Sequence, residues 1–166
     1  MPINWIALLV SAIIPLLIGF VWYHPKVFGT AWMKLVGLSE ADAQKMNMPL
    51  VFGLTLLLGF FLAVQLNFIV IHQMSLYSLV ANEPNAADPS SEAGAMVNAF
   101  MDKYGNNFRT FRHGVVHGVL TGLFLVLPVL AINAMFERKT WRYIWINAGY
   151  WVVTLALMGG IICAWQ

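Results

Sequence analysis

Arg109, His113, His117 and Thr121 recur every fourth residue, so a helix through them carries one polar stripe. Imidazoles one helical turn apart can share a metal ion, and borderline divalent metals favour such nitrogen ligands. His72 ends an apolar stretch that finishes where the stripe begins, which makes His72, His113 and His117 a candidate three-histidine metal set. Facing histidines at matched depth also serve as haem ligands. The same residues suit plain hydrogen bonding between helices, and their spacing alone leaves these readings open. His24 falls at the opposite end of its stretch and stands apart. There is no H-E-x-x-H motif, and no Asp or Glu lies within an apolar stretch. A metalloprotease or a carboxylate proton relay therefore lacks its parts.

The elements that must position these residues follow from composition. The 166 residues are 60% apolar and 10% charged, with nine Lys/Arg, seven Asp/Glu and a net charge of +2. A soluble domain carries roughly 25% charged residues. So little charge cannot cover a soluble surface, and a balance near zero offers no patch for nucleic acid. The single cysteine, Cys163, excludes an intrachain disulfide. This is the composition of an integral membrane protein.

Charges punctuate the chain and leave four long gaps. A hydrocarbon core about 30 Å thick needs roughly 20 helical residues. Spans are expected near 4–23, 50–72, 112–136 and 143–164, with extramembrane loops at 24–49 and 73–111, all within one transmembrane domain covering 1–166. The first stretch has no preceding Lys or Arg and exceeds a signal-peptide core of about 7–15 residues, so a retained helix is expected. Pro15 and Pro128 fall inside spans and predict kinks. Six basic residues in the first and third loops outnumber three in the second. Loops 24–49 and 137–142 are thus expected in the cytoplasm, with both termini outside the cell membrane.

Each of the first two loops contains a helix signal. Ser39 precedes Glu40 and Asp42, an N-cap followed by acids in the first turn. Ala93, Met96, Val97, Phe100, Met101 and Tyr104 form one apolar stripe of an amphipathic helix, with Gly105 placed to end it. The fold class is an all-α membrane protein, a four-transmembrane-helix bundle with short amphipathic helices in the first and second loops.

Trp22, Tyr23, Trp32, Trp141 and Trp145 gather at one membrane face, where amphipathic rings serve as interfacial anchors. A small aromatic pocket at the bundle mouth is the rival reading. The string from Gly19 to Met33 contains Trp22-Tyr23-His24-Pro25, Phe28-Gly29 and Trp32. It resembles the G-x-x-W-Y-s-P-x-x-F-G-x-x-W-m pattern of the DUF1761 family, small bacterial multi-pass membrane proteins of unknown function. The loop from Glu137 to Trp141 and the sequence Ile146-Asn147-Ala148-Gly149-Tyr150 extend the resemblance over nearly the whole chain. His24, where a small polar residue is common, and the long second loop depart from it. The resemblance implies a fold and a location, and it supplies no catalytic residue, cofactor or substrate.

Gly114, Gly118 and Gly122 repeat a small-xxx-small pattern, and Gly59, Ala63, Ala156 and Gly160 offer small faces on other spans. Helices in lipid pair where small residues let backbones approach. Such faces serve the bundle itself, a homo-oligomer or a larger membrane complex. A non-enzymatic assembly or accessory subunit, without a cofactor, is the functional expectation. A small transporter or channel, and a metal- or haem-binding redox protein, are its alternatives.

Overall fold

Backbone amides in hydrocarbon find no water, so an apolar stretch must satisfy them along its own axis as a helix. The computed structural model describes residues 3–166 and is helical at every such stretch. In chain order it comprises α1 Trp5–Trp22, a π-helical turn Pro25–Gly29, α2 Thr30–Val36, α3 Glu40–Gln44 and α4 Met48–Val70. The chain continues through α5 Gln73–Leu79, α6 Glu92–Tyr104, α7 Phe111–Thr121, a second π-helical turn Gly122–Val126, α8 Leu127–Phe136 and α9 Trp141–Ala164. Among the described residues, four helices are long and apolar enough to cross a membrane: α1, α4, the continuous Phe111–Phe136 unit and α9. No bound of these spans departs from its expected position by more than two residues.

Local chemistry explains where the spans begin. Asn4, Asn47, Thr110 and Thr140 each accept a hydrogen bond from the backbone N–H three residues on, satisfying donors that have no carbonyl within the helix. In the third span, Pro128 has no N–H to donate and its ring would crowd the preceding turn. The helix widens just ahead of it, and the Leu127 N–H reaches back five residues to the Gly122 carbonyl. The expected disturbance at Pro128 is this π-helical turn.

α9 is the most enclosed of the four spans, with α1, α4 and the α7–α8 unit packed around it. Its largest interface is with α7. A Cβ on Gly114 would lie 2.0 Å from the Gly159 carbonyl oxygen, and one on Gly118 2.1 Å from that of Leu155. Only glycine permits this approach, in which dispersion contacts along two backbones replace the hydrophobic drive that lipid cannot supply. α1 meets α4 in the same way, with Gly59 against the Ala12 carbonyl. Leu8, Ala63, Leu66, Val70, Leu155, Met158 and Ile162 fill the space between. Phe20, Leu58, Phe124 and Phe136 point outward, as residues facing acyl chains do.

The connecting segments depart more from expectation. Ser39 caps α3 as the sequence suggested, and Asp42 bonds back to the Ser39 backbone to complete a reciprocal capping box. Hydrogen bonds from the Ser39 side chain and backbone hold the exposed Asp42 carboxyl below its ordinary pKa. Before it, the chain after Pro25 coils into the π turn and α2 instead of a loop. Gly29 has a helical φ of −59. Its requirement is spatial, because a Cβ there would lie 2.1 Å from the Tyr23 carbonyl oxygen. Gly105 likewise follows α6 in a right-handed conformation, and Phe108 carries the positive φ, 61.

Candidate metal centre

α4 stops at Val70 because Ile71 turns extended, φ −106 and ψ 91, and wedges its side chain into the bundle. The chain then bends back into α5 with His72 at its first corner, making no capping hydrogen bond of its own. That bend carries the His72 ring over the first turns of α7. Its Nε2 lies 2.9 Å from Nε2 of His113. Ring centroids are 4.9 Å apart for His72 and His113, 4.8 Å for His72 and His117, and 4.5 Å for His113 and His117. One nitrogen from each of the three lies within 4.8 Å of the others.

A tetrahedral zinc ion with bonds of about 2.0–2.1 Å holds its ligand nitrogens about 3.3 Å apart. That spacing lies between the shortest nitrogen separation here and the upper bound of the set. His72 is exposed and the other two are half-buried, so the cluster runs from the membrane surface one turn inward. No carboxylate or thiolate joins the group among the described residues.

The remaining members of the polar stripe go elsewhere. Thr121 donates its hydroxyl to the His117 carbonyl, 2.8 Å, within its own helix. Arg109 precedes the Thr110 cap and is not on the helix at all. Its guanidinium turns to the end of α9, donating from Nε to the Cys163 carbonyl at 2.8 Å and from Nη2 to the Trp165 carbonyl at 3.1 Å. A buried cation at a helix C-terminus satisfies otherwise unpaired carbonyls and opposes the negative end of the macrodipole. The spacing of Arg109 suggested a shared stripe; the carbonyls that end α9, in need of donors, were the signal for its actual role.

Gln73, beside His72, was not singled out from sequence. It is 7% exposed, and its amide donates to the Tyr104 and Asn107 carbonyls at 3.3 and 2.8 Å, tying α5 to the end of α6. Between these helices lies a cavity of about 500 Å³ with His72, Leu76, Leu79, Phe100, Tyr104 and Phe108 in its wall. The apolar stripe of α6 is only partly covered: Val97 is buried, whereas Met96 and Phe100 remain exposed.

At the other end of the bundle, the aromatic string docks on α9. The Trp22 indole donates to the Ile146 carbonyl at 3.0 Å. The Tyr23 hydroxyl and the Trp32 indole both donate to Oδ1 of Asn147, at 3.0 and 3.3 Å. Tyr150 donates to the Pro15 carbonyl at 2.8 Å. Trp141 and Trp145 stay exposed. A cavity of about 550 Å³, walled in part by Gly19, Tyr23, His24, Phe52 and Tyr150, opens beside this group. His24 accepts from the Lys26 backbone through Nδ1 and takes no part in the histidine cluster. Among the small residues, Ala63 is fully enclosed and the backbone of Ala156 abuts Gly118. Gly122 meets Val152, and Gly160 lies under the Phe111 ring.

Four apolar spans in one helical bundle, with short helices at the surface, define a multi-pass membrane protein. The family comparison agrees. The chain belongs to the DUF1761 family, described as a protein of unknown function, whose sequence profile matches residues 6–163. No curated protein and no solved structure gives a match.

Proposed function

We propose that this membrane protein binds one borderline divalent metal ion, of the zinc, copper or nickel class, through His72, His113 and His117, without catalysing a reaction. The carrying observation is the convergence of three imidazoles, from two segments of chain 41 residues apart, on a space of metal-coordination size. Imidazole-only ligand sets suit these metals, and three protein ligands leave one coordination position open. The small-residue faces of α7 and α9 close on one another inside the bundle. They therefore lend nothing to a reading based on assembly. With loops 24–49 and 137–142 in the cytoplasm, as the Lys/Arg distribution favours, the centre lies at the outer face and samples metal outside the cell.

The test is metal stoichiometry. Wild-type protein in phosphatidylcholine nanodiscs, equilibrated with Zn²⁺ and desalted, should retain about one ion per chain. His113→Ala and His117→Ala should fall to background while keeping the wild-type helical circular dichroism. Retention by both variants would overturn the proposal.

A further inference from the structure

The histidine cluster and the cavity between α5 and α6 share walls. His72 belongs to both, and Phe108, which lines the cavity, holds its ring 5.2 Å from that of His113. Leu76, Leu79, Phe100 and Tyr104 make the wall mainly apolar, with Gln73, Ser75 and Asn107 completing it. At the rim, Leu79 is 80% exposed and Phe108 66%, so the mouth presents apolar surface at the level where the spans end. An opening of that kind faces acyl chains more readily than water.

Resting on the metal reading above, we infer that the cavity holds an anionic single-chain amphiphile drawn from the bilayer, with its carboxylate on the open position of the metal. Charge complementarity selects the head group. Three neutral imidazoles leave a divalent ion with its full double charge, and a carboxylate is the oxygen ligand that offsets it. The wall selects the tail, because Leu76, Leu79, Phe100 and Phe108 dominate it and the Gln73 amide is already committed to the Tyr104 and Asn107 carbonyls. The volume of about 500 Å³ lies within the range of small-molecule pockets. The site thus reads a lipid-derived acid through the metal. The free acid is the ligand, and no bond is made or broken beyond coordination.

Cobalt makes this measurable, because its visible spectrum responds to a change of fourth ligand. Wild-type protein in phosphatidylcholine nanodiscs is loaded with Co²⁺ and titrated with acetate or hexanoate. Each buried methylene strengthens binding roughly fourfold, so hexanoate should bind at least about tenfold tighter than acetate. Leu76→Trp, which fills the cavity, should keep Co²⁺ and its response to acetate but lose the preference for hexanoate. Equal affinities in the wild type, or an undiminished preference in Leu76→Trp, would overturn the amphiphile while leaving the metal centre standing. Failure of the wild type to take up Co²⁺, seen before any acid is added, would overturn both.

Discussion

His72 and His113 bring their Nε2 atoms to 2.9 Å across a bend that contains neither glycine nor proline. Without metal, the two nitrogens share one proton as donor and acceptor. Binding a metal ion through both Nε2 atoms moves that proton to Nδ1 of the same ring, so each imidazole stays neutral. Zinc affinity should fall as pH is lowered and the imidazoles protonate, and titration calorimetry in two buffers of different ionisation heat should register proton release that grows as pH falls below neutral. Heats that stay identical in both buffers even at acidic pH would argue against histidine ligation.

The interface between α7 and α9 depends on the absence of a side chain. Gly118→Ala should destabilise the bundle by about 3 kcal/mol, at the upper end of overpacking costs, because the atom it meets is a backbone carbonyl. Gly53→Ala is the control. A Cβ there meets nothing within 4 Å, and the change should be neutral or stabilise by up to about 1 kcal/mol. Thermal unfolding of both variants in the same detergent checks the difference.

Arg109 closes the end of α9, and Arg109→Ala would leave the Cys163 and Trp165 carbonyls short of donors. The expected cost is about 1.5–3 kcal/mol, the range for hydrogen bonds to charged groups. Arg109→Lys should recover only part of it, since an ammonium lacks the planar fork that reaches both carbonyls. Hydrogen exchange at the Trp165 amide, which bonds the Ile161 carbonyl, reads the fraying directly.

Asn147 accepts from both Tyr23 and Trp32, so Asn147→Leu should release both rings from α9. A loss of about 1–3 kcal/mol is expected for donors left without an acceptor. Red-shifted tryptophan emission should accompany it as Trp32 becomes hydrated. An unchanged emission maximum would place the string's hold on α9 elsewhere.

The α3 capping box carries a pH signature. The folded pKa of Asp42 is depressed, so its contribution is present above the unfolded carboxylate pKa and is lost as pH falls through the folded value. The Asp42 carboxyl should titrate below an ordinary aspartate by NMR, and Ser39→Ala should return it toward normal.

The spans were legible because hydropathy and bilayer thickness leave few alternatives; the caps Asn4, Asn47, Thr110 and Thr140, which set their starts, were not read from the sequence. His113 and His117 were legible as helical neighbours. Joining His72 to them required only that spans two and three meet at the same face. The bend at Ile71 was hidden, since a β-branched run with no glycine or proline reads as continuing helix and only packing ends it. The placement of Arg109 was misread for a related reason: regular spacing implied a helix that starts two residues later, at Phe111. α5 and the cavity it forms depend on the unseen Ile71 bend, and so remained out of reach.

The most direct test of the histidine centre is X-ray absorption at the zinc edge of the Zn²⁺-loaded protein in nanodiscs. Coordination by His72, His113 and His117 predicts a four-coordinate shell with three imidazole nitrogens at about 2.0–2.1 Å and their outer-ring scattering. A shell of water and carboxylate oxygens, or one with a single imidazole, would contradict it.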